Sequence, residues 1–249
     1  MIDLSNKVSI ITGGSRGIGE ACVWLFAGAN SKVAFTYKKA KSRAEKIEKE
    51  IGSNVKAYRV DMESEREINN FVASVEKDFG SVDILVHNAG IWNDGTLEKM
   101  TLDHWNELIR VNLTSTFLLC KASAQIMKKN NYGRIILITS TAGQRGEAFH
   151  SHYAASKGGM ISFTKSLAVE LAPFNINVNS VAPGWVDTEL NNEVFADADY
   201  KESIRKSIPV GRIATAEDIA GPTLFLASGL ANHINGEILN VNGGSVLCG

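Results

Sequence analysis

Short apolar runs alternate with stretches of helical periodicity along nearly the whole chain. Residues 7–12 form a compact apolar run of buried-strand length. From Gly17 onward, Ile18, Cys22, Leu25, Phe26 and Ala29 recur at helical spacing. Residues 32–36 predict a second strand, and Ser42-Arg43-Ala44-Glu45 has the spacing of a capping box that opens a charged helix. Residues 55–60 predict a third strand. Ile68, Phe71, Val72, Val75 and Phe79 share one face of the helix after it, and residues 83–87 predict a fourth strand. The second half predicts a long helix over 112–127, a strand over 133–139, a helix over 153–172, and strands over 175–181 and 237–241. Continuously apolar strands separated by helices belong in a parallel sheet covered on both faces. Right-handed crossovers then give a doubly wound fold. The expectation is an α/β protein, one domain over residues 1–249, with a seven-stranded parallel sheet and helices on both faces.

Two polar segments, 144–152 and 188–209, interrupt the rhythm. Both follow the carboxyl end of a strand, where open α/β sheets bind ligands. A substrate lid is expected at about 188–210, with a dinucleotide-binding half before about residue 110 and a catalytic half after it.

Charge narrows the options. Lysine and arginine number 26 against 27 acidic residues, a net charge of −1. That excludes nucleic-acid or membrane binding through bulk positive charge. Cys22, Cys120 and Cys248 are widely spaced with no CxxC, so neither a disulfide framework nor a zinc site is expected. His150 and His152 beside Glu147 lack a third ligand at a recognisable spacing, so no metal is expected; they should line a substrate mouth or face solvent. The amino-terminal residues lack the order of a signal peptide, and no apolar run approaches about 18 residues. A soluble cytoplasmic protein is the expectation.

The chemistry begins at Thr12-Gly13-Gly14-Ser15-Arg16-Gly17-Ile18-Gly19, between a predicted strand and a predicted helix. Glycines there permit a tight turn and let backbone N–H groups approach a pyrophosphate at a helix N-terminus. Further on come Asn88-Ala89-Gly90 after the fourth strand, then Asn112, Ser140 and Tyr153-Ala154-Ala155-Ser156-Lys157. Pro183-Gly184 and Asn242-Gly243-Gly244 complete the series. This ordered set resembles the short-chain dehydrogenase/reductase family over roughly residues 6–247. The resemblance implies a Rossmann fold and a nicotinamide cofactor. It implies cofactor contacts from Gly13, Ser15, Arg16, Gly17, Ile18 and Gly19 in the turn, and from Tyr37, Lys38, Asp61 and Met62 at the adenosine end. Asn88, Ala89, Gly90, Tyr153, Lys157, Pro183, Gly184, Val186 and Thr188 would supply the rest.

An NAD site usually places an acidic residue at the end of the second strand. Tyr37 stands there instead, followed by Lys38, Lys39, Lys41 and Arg43, with Arg16 in the glycine turn. The lysines could be a solvated face. Cations at a helix N-terminus oppose its dipole, however, and a 2′-phosphate would need them, so NADP(H) is the expected cofactor.

Tyr153 and Lys157 lie four residues apart on one predicted helix face. A nearby ammonium favours tyrosinate and lowers the phenol's pKa from about 10, making Tyr153 a general acid for carbonyl reduction. Tyr37 and Lys41 share the spacing but lack a strand-end serine upstream. The resemblance gives Ser140 the substrate carbonyl and Lys157 the nicotinamide ribose. It gives Asn112 a water that links Lys157 to solvent, and Thr188 the cofactor carboxamide or a phosphate. Trp92 would cap the substrate or simply pack.

Within the family the resemblance is nearest to 3-oxoacyl-[acyl-carrier-protein] reductases, through 208–212, 181–184 and the Asn-Gly-Gly tail. It implies a homotetramer and, as substrate, a small carbonyl compound or acyl thioester, with acyl carrier protein as a partner. His150-Ser151-His152 replaces that subfamily's Gln-Ala-Asn, and Asn131 and Phe174 stand where it carries arginines. Three functions remain open: a reductase of 3-oxoacyl thioesters, a reductase or dehydrogenase of a free alcohol or ketone, and a nicotinamide sensor without turnover.

Overall fold

The computed structural model describes residues 2–247; Cys248, expected as a free thiol, lies outside them. Seven strands, β1 (Val8–Ile11), β2 (Lys32–Tyr37), β3 (Val55–Arg59), β4 (Ile84–His87), β5 (Gly133–Ile138), β6 (Ile176–Pro183) and β7 (Ile238–Val241), form one sheet. Their order is β3-β2-β1-β4-β5-β6-β7, and every neighbouring pair is parallel. The helices are α1 (Gly17–Gly28), α2 (Lys41–Ile51), α3 (Glu65–Phe79), α4 (Leu102–Ile109), α5 (Ser115–Asn130), α6 (Thr141–Arg145) and α7 (Ser151–Leu171). After β6 follow α8 (Asn192–Phe195), α9 (Ala198–Ser207) and α10 (Ala216–Ala227).

Successive strand residues point to opposite faces. Ile10, Leu85, Ile135 and Leu137 therefore enter one core, against Ile68 and Phe71 of α3, Leu119 and Met127 of α5 and Met160 of α7. Ile11, Ile84, Val86, Ile136 and Ile138 enter the other, against Val23 and Phe26 of α1, Ile47 of α2 and Leu224 of α10. Each fully buried large apolar side chain contributes roughly 1.5–3 kcal/mol. The doubly wound α/β arrangement is as the sequence pattern predicts. Among the described residues no helix is long and apolar enough to cross a membrane.

Three local expectations change. The Ser42–Glu45 capping box does not form: α2 starts at Lys41 with Ala40 at its cap and no side-chain cap. Glu45 pairs with Lys41 at 3.5 Å instead, and Arg43 reaches away from the helix. A capping box does occur at α10, between Thr215 and Asp218. The helix expected from residue 112 begins earlier, as α4, and passes through a π turn at Arg110–Thr114 before α5. Segment 144–152 is only partly loop, because α6 runs through Gln144 and Arg145.

Candidate active site

A cleft opens at the carboxyl ends of the strands. It lies beside β1 and β4, where crossovers leave in opposite directions, the usual ligand crevice of such sheets. Ile18, just past the turn after β1, lines one wall. Gly13 and Gly17 have φ of +67° and +54°, and a Cβ on Gly19 would meet the Gly13 carbonyl oxygen at 2.2 Å. α1 starts without a side-chain cap, so its first N–H groups remain for an anionic ligand. A bare turn, an uncapped helix and a neighbouring cleft suit a dinucleotide pyrophosphate.

Thr12 clamps this turn to the one after β4. Its Oγ1 accepts from the N–H groups of Asn88 (3.0 Å) and Ala89 (2.9 Å), and Asn88 Nδ2 donates back to the Thr12 carbonyl at 3.1 Å. Ile18, Asn88, Gly90, Pro183, Gly184, Val186 and Thr188 line the cleft, as do Ser140, Tyr153 and Lys157. Thr188 also covers the glycine turn, its side chain lying 3.3 Å from where a Gly17 Cβ would be.

Ser140 follows β5 and caps α6, its Oγ accepting from Ala142 N at 3.1 Å. Tyr153 and Lys157 share the cleft-facing side of α7. Lys157 is 4% exposed, lies 5.8 Å from the Tyr153 ring centre, and donates through Nζ to the Ile138 carbonyl at 2.7 Å. Burial pushes its pKa down to about 8.

The Tyr153 phenol departs from expectation. Although the residue as a whole is half-buried, burial around its oxygen pushes the pKa up to about 12. A hydrogen bond with Ser140 opposes the rise and the Glu147 carboxylate adds to it. The ammonium, turned to the Ile138 carbonyl, does not offset the burial. The phenol is held as a neutral proton donor.

Asn112 sits inside the π turn, a feature frequent at functional sites. Its side chain is fully engaged: Oδ1 accepts from Ile91 N at 2.9 Å, and Nδ2 donates to Ile91 O (3.0 Å) and Ser156 Oγ (3.2 Å). Asn112 therefore ties the cleft strand-end to α7.

The adenosine end also differs from expectation. Lys38 pairs with Asp61 at 2.9 Å and Glu63 at 3.1 Å. Arg43 pairs with Glu20 at 2.7 Å and Glu189 at 2.5 Å. The basic cluster is thus neutralised by carboxylates brought from distant segments. Only Arg16 and Lys39 of that cluster lack a carboxylate partner among the described residues. Tyr37 packs at the edge of the α1-side core, and Met62 sends its side chain into the α3-side core. The Tyr37–Lys41 pair has no shared face, since one residue ends a strand and the other opens a helix.

Aromatic rings form the far wall. Trp92 packs edge-to-face on His150 at 4.4 Å and on Trp185 at 6.4 Å, and Trp185 meets Phe195 at 5.8 Å. His152 is not at the mouth: it is buried, with Nε2 2.8 Å from Asn93 Oδ1. Trp185 and Phe195 are not among the residues that the sequence motifs single out; the aromatic directly after Pro183-Gly184 is the available signal. Among the described residues no group of three His, Cys, Asp or Glu side chains could hold a metal ion.

A family model described as Enoyl-(Acyl carrier protein) reductase matches residues 13–245. The chain is 42% identical over 248 residues to the 3-oxoacyl-[acyl-carrier-protein] reductase FabG of Aquifex aeolicus, covering 98% of each. It is 39% identical over 243 residues to the protein of the same name from Escherichia coli, again covering 98% of each. A solved structure described as the crystal structure of gox2181 superposes with a TM-score of 0.93 at 32% identity, over 98% of this chain and 96% of that one.

Proposed function

The chain belongs to the short-chain dehydrogenase/reductase family, and on that premise we propose that it is an NADPH-dependent reductase of 3-oxoacyl thioesters. The observation that carries the proposal is the meeting of Ser140, Tyr153 and Lys157 in one cleft with Ile18, which follows the glycine turn at the start of α1. Relatives about 40% identical over nearly their whole length bear a matching name.

The glycine turn from Gly13 to Gly19 holds the cofactor's pyrophosphate. Arg16, Tyr37, Lys38 and Asp61 serve its adenosine end; Asn88, Ala89, Gly90, Pro183, Gly184, Val186 and Thr188 serve its nicotinamide end. Bound there, NADPH supplies the hydride. Ser140 donates a hydrogen bond to the substrate carbonyl and holds it beside Tyr153. Tyr153 gives its phenolic proton to the carbonyl oxygen. Lys157, cationic below about pH 8, stabilises the negative charge left on the Tyr153 oxygen. The segment 188–210 acts as the substrate lid. The enzyme would work in the cytoplasm as a homotetramer, reducing 3-oxoacyl groups that remain attached to acyl carrier protein.

One observation favours a second reading, a free ketone or alcohol as substrate. Trp92 and Trp185, the latter backed by Phe195, line the cleft with apolar rings, and Phe174 offers an acidic carrier no charge. The deciding assay follows NADPH absorbance with acetoacetyl-coenzyme A and, separately, with a panel of free ketones and sugars. Turnover of the thioester supports the first reading. Turnover of free carbonyls alone replaces it with the second.

A further inference from the structure

His87 is a titratable group that the proposed chemistry leaves unused, and it is completely buried, with 0% exposure. It ends β4, between the turn after β1 and the π turn that joins α4 to α5. Its Nδ1 lies 2.9 Å from Thr12 Oγ1 and its Nε2 lies 3.1 Å from Ser115 Oγ.

The partners fix the tautomer. Thr12 Oγ1 already accepts from Asn88 N and Ala89 N, which fills its two lone pairs, so its own proton goes to His87 Nδ1. Ser115 Oγ donates to the Val111 carbonyl at 2.6 Å, so it receives the proton on His87 Nε2. The imidazole is therefore neutral and protonated on Nε2. Burial holds its pKa down to about 3, and the Lys157 cation across the junction opposes a second charge.

We propose that His87 is a positioning residue, a strut between the cofactor turn and the π turn that keeps Asn112 in register with the Tyr153–Lys157 helix. Each link is a hydrogen bond. Thr12 holds His87, His87 holds Ser115, and Ser115 closes on Val111, the neighbour of Asn112. Asn112 Nδ2 then donates to Ser156 Oγ, which itself donates to the Tyr153 carbonyl at 2.8 Å. A π turn is a local departure from the regular helical ladder. A fixed external strut removes that freedom at the point where the helix meets the site. The proposal rests on the reading of Tyr153 and Lys157 as the proton-delivering pair.

Two isosteres separate the ends of the strut. His87→Asn retains an acceptor at the Nδ1 position, for Thr12, but has nothing at the Nε2 position. His87→Gln retains a donor near the Nε2 position, for Ser115, and loses the Thr12 acceptor. With acetoacetyl-coenzyme A and NADPH, His87→Asn should lower kcat about fivefold, the factor one ordinary buried hydrogen bond sets, with little change in the NADPH Kd. His87→Gln should raise the NADPH Kd by a similar factor and keep kcat near wild type. Ser115→Ala in the His87→Asn background should cost no further kcat, because once the His87–Ser115 bond is gone the Ser115–Val111 bond no longer ties the π turn to β4. His87→Phe with wild-type kcat and Kd would overturn the strut, as would two isosteres that lower melting temperature alone.

The tautomer is tested on the unmodified chain. The imidazole ¹⁵N signals of histidine-labelled protein that vanish in His87→Gln, and so belong to His87, should show a neutral ring unprotonated at Nδ1 that does not titrate between about pH 5 and 8. A ring protonated on Nδ1, or one that titrates in that range, overturns the proposal whatever the variants do. If the wild-type chain binds NADPH but leaves the thioester unchanged, the substrate reading fails. The spectrum and the NADPH Kd values still decide the strut.

Discussion

Gly143 offers a way to disturb the proposed catalytic group without touching it. It lies in α6, three residues after Ser140, and presses on α7 at Lys157. A Cβ there would meet the Lys157 carbonyl carbon at 2.6 Å, Gly158 N at 2.7 Å and Lys157 Cβ at 2.8 Å. Ordinary contact begins at 3.4 Å. Two of the three obstacles are backbone, so α6 and α7 must separate by most of an ångström. Ser140 moves with one helix, Tyr153 and Lys157 with the other. A misplacement of about 1 Å in a reacting constellation can cost about 100-fold. Gly143→Ala should therefore lower kcat by about two orders of magnitude. Overpacking of this kind costs about 1–3 kcal/mol of stability. The NADPH Kd should change little, because the glycine turn lies on another strand end. Gly221→Ala in α10 is the control: its Cβ meets nothing within 4 Å, so it should stabilise by about 0.5–1 kcal/mol and leave kcat alone. Wild-type kcat in Gly143→Ala, with only the melting temperature lowered, would refute the claim that the α6–α7 distance sets the reaction geometry.

Tyr153→Phe should remove nearly all turnover and keep NADPH binding, measured by fluorescence titration. Because Lys157 discharges near pH 8 and its cation is needed beside Tyr153, kcat/KM for reduction should fall as pH rises above about 8. The native chain also binds fewer protons than the unfolded chain between about pH 8 and the ordinary lysine value of 10.5, so stability should rise with pH across that window. Lys157→Met, read by thermal melting, should lose that rise together with all turnover. Lys38→Ala should weaken NADPH more than NADH in parallel titrations, and equal weakening would remove Lys38 from 2′-phosphate recognition.

The fold was legible because its signal is local. Apolar runs such as 133–139 and 175–181 need no partner to be recognised, and β5 and β6 follow them to within two residues. The ordered motifs around Gly13, Asn88, Ser140 and Tyr153 were legible for the same reason: each is a few residues long. What escaped depends on neighbours. α10 has a mixed apolar surface and an internal Pro222, so its periodicity is weak, yet it covers the sheet beside α1. His87 reads as one more residue of an apolar strand until Thr12 and Ser115 close on it from other parts of the chain. The Tyr153 phenol was misjudged because spacing showed the ammonium but not the Ile138 carbonyl that captures it.

The basic cluster carries the same lesson into cofactor choice. Four cations near one strand end suggested an open phosphate site. Asp61 and Glu63 reach Lys38 from 23 and 25 positions along the chain, and Glu189 reaches Arg43 across 146. A 2′-phosphate must therefore compete for Lys38 with two carboxylates and for Arg43 with two more. These pairs are exposed, and exposed pairs contribute at most about 1 kcal/mol each, so a phosphate can displace them. Arg16 and Lys39 need no displacement at all. Selectivity for NADPH should then depend on Arg16 and Lys39 at least as much as on Lys38, and Glu63, Glu20 and Glu189 should lower the affinity for NADPH without erasing its advantage over NADH.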